Sequence, residues 1–276
     1  MMTNKTTPML VTFDGEARSG KGTIVQKTKD YLRDECGYKV MLIDRGQTFR
    51  VLVVAAERDG VMLDDPLAID SYLADETTIA RCVQFVKDVY YMPKEERDAL
   101  LYTDQVGADS AKIGARPASQ TFVKMLTKKW VSDAAKDGFS VVLVDGRALE
   151  GIGREMHAEG LCEYRLGLFF VCDKTVGARR TLGYAATPYV MLSEEERQSV
   201  DRLVQQITER NRLDYEREVE RLIRPTGTEI YTLPVMPRPP ANSGTAPLFT
   251  IDTSADLTKE EMSLPVARFV AEVLAA

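Results

Sequence analysis

The chain has 276 residues, 44% hydrophobic and 28% charged, the balance of a globular protein able to bury a sizeable core. A net charge of −6 excludes the broad basic surface that nucleic-acid binding usually needs, so no nucleic-acid partner is expected. A single histidine, His157, leaves no multi-histidine zinc site, and the cysteines Cys36, Cys82, Cys162 and Cys172 contain no C-x-x-C pair. Unpaired thiols and a start, "MMTNKTTPML", without the marks of a signal peptide point to a cytoplasmic protein. The apolar run "VLVVAA" is far too short to span a membrane.

The first element is an apolar run, "MLVTFDG" (9–15), which reads as a buried strand. It leads into "GEARSGKGT", in which Gly15 is followed after four residues by Gly20-Lys21. That spacing is a phosphate-binding loop, and the helical pattern at 21–35 supplies the context it needs. Backbone N–H groups of such a turn converge on anionic oxygens, and Gly15, Gly20 and Gly22 allow close approach. Lys21 would reach β- and γ-phosphates. The hydroxyl that normally follows the lysine is displaced to Thr23 by Gly22. A Mg²⁺ ion would then depend on phosphates, water and a carboxylate elsewhere, for which Asp145 is the candidate.

Further along lie strands at 39–45, 140–146, 165–173 and 247–253. Helices are expected at about 46–58, with Gly60 at its end, at 104–136 as one or two helices with Pro117 a start or kink, and at 193–222 behind a Ser193/Glu196 capping box. Alternating strands and helices predict a doubly wound α/β domain. Residues 62–103 interrupt the rhythm and read as a small helical insert with room for a hairpin. The Pro-rich 233–245 reads as a surface loop, Trp130 as a core residue and His157 as a satisfied polar side chain. Charged residues gather at element ends: Asp44, Arg45 and Arg50 after the second strand, Arg147 after the third, and Arg210, Asp214 and Arg217 spaced by four and three.

Taken together, these motifs resemble the cytidylate kinase family of nucleoside monophosphate kinases. "VTFDGEARSGKGT", "IDRGQTFR", "TDQVGADSAKIG", "VDGRALEG" and "ERNRLDYER" follow the order of that family's motifs from about residue 9 to 270. The resemblance implies a P-loop NTPase three-layer fold with a five-stranded parallel sheet. The core would be 1–61, 104–178 and 218–276, with an acceptor-side insert at 62–103 and a lid at 179–217. It implies Mg²⁺-assisted transfer from ATP to a nucleoside monophosphate, with no protein partner. Gly15, Ser19, Gly20, Lys21, Gly22, Thr23 and Arg179 would hold ATP, and Thr23 and Asp145 the metal. Asp44, Arg45, Arg50, Arg147, Arg210, Asp214 and Arg217 would serve the acceptor, with Lys21, Arg147 and Arg217 stabilising the transfer. The family's base-reading positions are altered: they fall at Ala111, Gln120 and Ala148, with Ser110 one residue from the first, and Arg45 replaces a hydroxyl residue. A P-loop kinase of another small phosphorylated molecule, or a nucleotide-binding regulator without turnover, are the rival readings.

Overall fold

A computed structural model describes residues 7–65, 67–239 and 246–276 of the chain. These residues form two compact units: one runs to Ile43 and resumes at Val131, and the other is Asp44–Trp130.

The first unit is built on a parallel sheet ordered β2-β3-β1-β4-β6-β5, where β1 is Met9–Gly15, β2 Val40–Asp44, β3 Val141–Asp145, β4 Glu163–Val171, β5 Ile230–Thr232 and β6 Leu248–Asp252. The five apolar runs are all strands. The sheet has a sixth strand where five were expected, because β5 is three residues long, partly exposed and too polar to register as an apolar run. The helices are α1 (Lys21–Asp34), α2 (Arg45–Arg58), α3 (Ala68–Tyr72), α4 (Glu76–Tyr91), α5 (Lys94–Leu101), α6 (Asp104–Gly114), α7 (Pro117–Ala134), α8 (Leu149–Ala158), α9 (Lys174–Thr181), α10 (Glu194–Glu216) and α11 (Lys259–Ala275).

Alternation along the strands sorts the core. Val11 and Phe13 of β1, Val141 and Leu143 of β3 and Leu166, Leu168 and Phe170 of β4 face Ile24, Val25 and Leu32 of α1 and Met262, Val266, Phe269 and Val270 of α11. Each such side chain, fully buried, stabilises the fold by about 1.5–3 kcal/mol. The other face carries α8 against β1 and β4. Because β1 lies between β3 and β4, the loop after it opens where the sheet's connections diverge to either side, the place where open α/β sheets bind ligands.

The second unit is helical. Its core joins Val51–Ala56 of α2 to Cys82, Val86 and Val89 of α4, Val106 and Ile113 of α6 and Val123 and Leu126 of α7, with Trp130 packed against it. Residues 62–103 hold α3, α4 and α5, and no strand appears among the described residues there, so the expected hairpin is absent. The segment 104–136 is two helices, and Pro117 opens the second, where its missing N–H costs nothing. Gly60, at φ 76°, follows the end of α2 as expected.

The Ser193/Glu196 capping box is formed in both directions. α10 ends at Glu216, short of the expected 222. The chain turns at Arg217, whose Nε donates to the Glu220 carbonyl at 2.6 Å, while Leu222 N–H reaches the Asp214 carbonyl at 2.8 Å. His157 Nδ1 is satisfied at the Cys162 carbonyl, 3.1 Å away. Residues 240–245 of the Pro-rich stretch lie outside the described residues, and 233–239 adopt neither helix nor strand. Among the described residues no helix is long and apolar enough to cross a membrane.

Candidate active site

The loop from Gly15 to Thr23 joins β1 to α1, and its path is fixed from several sides. Glu16 N–H continues the ladder to the Phe170 carbonyl (2.9 Å), and Ser19 Oγ closes the turn on the Glu16 carbonyl (3.0 Å). From α10, Asn211 Oδ1 accepts Ala17 N–H at 2.8 Å, and one turn later Tyr215 OH donates to Glu16 Oε1 at 2.9 Å. From the end of β6, Thr253 Oγ1 donates to the Ser19 carbonyl at 2.9 Å. Gly20, at φ 78°, precedes α1, and no side chain caps that helix. Its first N–H groups are therefore not taken up by a capping oxygen, the arrangement that suits an anion.

Lys21 sits 2.5 Å from Asp145 Oδ1 and donates to the Gly146 carbonyl. Asp145 also faces Gly22, where an added Cβ would lie 4.0 Å from Oδ2. The carboxylate thus stands beside the first turn of α1, close to where the displaced hydroxyl of a commoner loop would be. Among the described residues no group of three His, Cys, Asp or Glu could hold a metal ion by itself.

Asp14, which the sequence reading passed over, organises the neighbouring strand ends. Its buried carboxylate accepts from Gly15 N (2.7 Å), Leu149 N (2.7 Å) and Ala148 N (3.2 Å). Burial pushes this carboxyl above its ordinary range, opposed by the Leu149 N–H, the Lys21 charge and the Gly15 and Ala148 N–H groups. The three donors hold the β3–α8 turn against β1, and Ala148 within it takes a left-handed conformation, φ 56° and ψ 46°.

Beside that turn, Arg147 forms a hydrogen-bonded ion pair with Asp214 of α10, whose other oxygen lies 3.4 Å from Arg217. All three side chains are mostly buried. Two guanidiniums from distant parts of the chain thus share one carboxylate. Arg210, by contrast, is exposed on α10.

Arg179 is buried. Its Nε donates to the Thr187 carbonyl at 2.7 Å, one terminal nitrogen donates to Ala185 at 2.9 Å, and Asp256 lies 3.7 Å away. These partners make it a brace for the loop after α9. Arg180 holds the carbonyls of Thr253 and Ala255.

Within the second unit, Asp44 caps α2 by accepting Gln47 N–H at 2.9 Å. Arg50 lies over the Tyr102 ring, 4.7 Å from its centroid, and donates to the Leu101 carbonyl at 3.1 Å. The Tyr102 phenol is pushed up to about 12, first by burial and then by the Asp44 charge, so both residues act on the same ring. Arg45 is 2% exposed. Gln120 is buried and turned onto the Gly114 carbonyl, Ser110 donates to Gly107 within its own helix, and Ala111 is exposed.

Asn211, Tyr215 and Thr253 left no mark in the sequence as site residues, because each meets the loop across some 200 residues of chain. Asp14 had a signal, the Asp-Gly that closes β1.

The chain shows distant similarity to cytidylate kinases over much of its length. It is 25% identical over 174 residues to the cytidylate kinase of Cupriavidus pinatubonensis, a stretch covering 62% of this chain and 66% of that one. It is 22% identical over 210 residues to that of Protochlamydia amoebophila, covering 76% and 82%. With that of Azotobacter vinelandii it shares 30% over 117 residues, 40% and 46% of the two chains. The match thus spans just under two thirds of the Cupriavidus protein and less than half of the Azotobacter one. No family model matches the chain.

Proposed function

We propose that this chain is a nucleoside monophosphate kinase, transferring the γ-phosphoryl group of ATP to a nucleoside monophosphate. One observation carries the reading. The unit that holds the phosphate-binding loop and Lys21 also holds Arg147 and Arg217 around a single carboxylate, and a loop that only binds nucleotide has no use for that second cationic cluster. The similarity to cytidylate kinases supports the same chemistry.

In this reading the loop amides from Gly15 to Thr23, Ser19 and Gly20 included, cradle the donor phosphates, and Lys21 exchanges Asp145 for phosphate oxygens. An acceptor phosphate oxygen attacks the γ-phosphorus, and the bond to the β–γ bridging oxygen breaks, leaving ADP. The protein makes no covalent bond. It contributes positioning and charge stabilisation by Lys21, Arg147 and Arg217. Asp145 and Thr23 flank the first turn of α1 and fit a metal ion held mainly by phosphates and water, which is how Mg²⁺ is commonly bound. Such an ion would neutralise charge on the transferring phosphoryl group. We assign the acceptor phosphate to Arg147 and Arg217 and its ribose to Arg210 and Asp214; for Asp44 and Arg50 of the second unit, an acceptor role rests on the resemblance alone. Arg45, buried as it is, would act by supporting α2, and Arg179 by bracing the lid entry. The lid at 179–217 and the insert at 62–103 would close to exclude water, without which ATP is merely hydrolysed.

Asp214 holds the two arginines in register for the acceptor. Asp214→Asn should therefore raise the acceptor KM about tenfold while the ATP KM stays within about twofold. Equal effects on both substrates would sink this division of labour.

The base is read weakly in this proposal. Ala111 and Ala148 offer no side-chain donor or acceptor, so a mismatched base leaves nothing buried and unpaired. Coupled ATP-consumption assays on cytidylate, uridylate, adenylate, guanylate and thymidylate test both the reaction and its selectivity. Comparable rates on several of these are expected. A folded, ATP-binding protein inactive on all five would favour a non-catalytic regulator or a kinase of another phosphorylated molecule. Ala148→Asp should raise the preference for cytidylate. The left-handed backbone at 148 accepts Asp more readily than Ala, so the fold should be kept.

A further inference from the structure

We propose that Arg18 is a binding residue for the polyphosphate of the donor nucleotide, a cation set into the phosphate loop itself. The inference rests on the reading of that loop as the ATP site.

Arg18 is one of three non-glycine residues with positive φ among the described residues, at φ 59°. The left-handed region is costly for a side chain carrying Cβ and is the ordinary place for glycine. Such outliers persist only where their surroundings impose them, and they collect at functional sites. Here the surroundings are explicit. Ala17 N–H is held by Asn211, the Ser19 carbonyl by Thr253, and between them the Arg18 carbonyl and Cβ press so closely on α9 that Gly177 could not carry a Cβ without displacing them. The backbone at 18 is thus fixed from both sides, and glycine would adopt it at lower cost.

What arginine adds is a guanidinium. That group is exposed and takes part in no hydrogen bond or ion pair among the described residues, so neither packing nor pairing accounts for it. It stands in a turn between half-buried Ala17 and buried Ser19, three positions before Lys21, in a chain whose net charge is −6. Its forked donors suit phosphate oxygens in pairs, which the point charge of Lys21 does not.

The test is a set of variants read by calorimetric titration with ATP and by thermal unfolding. Arg18→Gly should relieve the backbone and raise Tm by about 2–4 °C, while weakening the ATP Kd about tenfold through loss of a charge-assisted contact. Arg18→Ala should weaken Kd equally without the gain in Tm, which separates the guanidinium from loop flexibility. Lys27→Ala, an exposed charge further along α1, should leave Kd within about twofold. A structural role for Arg18 would move stability and binding down together. Wild-type ATP affinity in both Arg18→Gly and Arg18→Ala, alongside loss of affinity in Lys21→Ala, overturns the role of Arg18 and leaves the ATP site standing. Failure of the unaltered chain to bind ATP overturns both.

Discussion

Lys21→Ala should leave the fold intact and cut phosphoryl transfer by about 10²–10³. The ammonium lies at the first residue of α1, 2.5 Å from Asp145 and bonded to the Gly146 carbonyl, so in the proposed reaction it would already stand where charge develops on the transferring group. A preorganised donor of this kind acts without reorganising at the moment of reaction, which is why its loss is felt in turnover. The substitution also leaves Asp145, whose side chain is mostly buried, without this counter-charge. Its carboxylate would then oppose the entry of phosphates, so the ATP KM should rise as well. Stability should fall by about 1–3 kcal/mol, since the mostly buried Asp145 loses the partner of its Oδ1. The measurement is kcat and KM for ATP on a variant whose cooperative unfolding curve shows it folded at the assay temperature. Full activity in that variant would remove the phosphate-loop assignment, and with it the kinase reading.

Gly15→Ala should destabilise the sheet-bearing unit by about 3–5 kcal/mol, among the larger effects available to a single substitution. Gly15 has φ 138°, a conformation other residues scarcely adopt. A Cβ there would also overlap the backbone carbonyl of Phe170 in β4. That carbonyl cannot retreat cheaply, since it accepts Glu16 N–H in the ladder between β1 and β4. Gly22 provides the contrast: the nearest atom to an added Cβ is 4.0 Å away, and the site is the first turn of a helix, so alanine should fit without loss. Urea unfolding of the two variants checks the pair. Similar midpoints would mean that the tight approach at Gly15 is not as the structure has it.

Much of the architecture was legible in the chain. The five apolar runs could be read because strands covered on both faces are continuously apolar, and the helices because caps and stop signals are local: Ser193 with Glu196, Pro117 and Gly60. Where local signals were weak the reading slipped. β5 is too short and polar to stand out, and it exists because β6 presents an edge for Ile230–Thr232 to pair with. The end of α10 was overrun because its charged pattern continues past the point where Arg217 turns onto Glu220.

The site divides in the same way. The sequence by itself carries the proposal of a phosphate loop, because an anion cradle is made of consecutive backbone amides and needs only glycines and a lysine at fixed spacing in one stretch of chain. It also marked Arg147, Asp214 and Arg217 as charges at element ends. Only the tertiary structure decided that Arg147 and Arg217 share Asp214, that Asp14 ties the β3–α8 turn to β1, and that Asn211, Tyr215 and Thr253 pin the loop at Ala17, Glu16 and Ser19. It decided as well that Arg179 turns inward to carbonyls and that Arg45 is buried. The physical reason is range. Backbone conformation and capping are set by neighbours a few residues away, whereas Ser19 and Thr253 are 234 residues apart and Ala17 and Asn211 are 194 apart. Such partners carry no spacing rule, and they meet because the packed sheet and helices bring their strand and helix ends to one place.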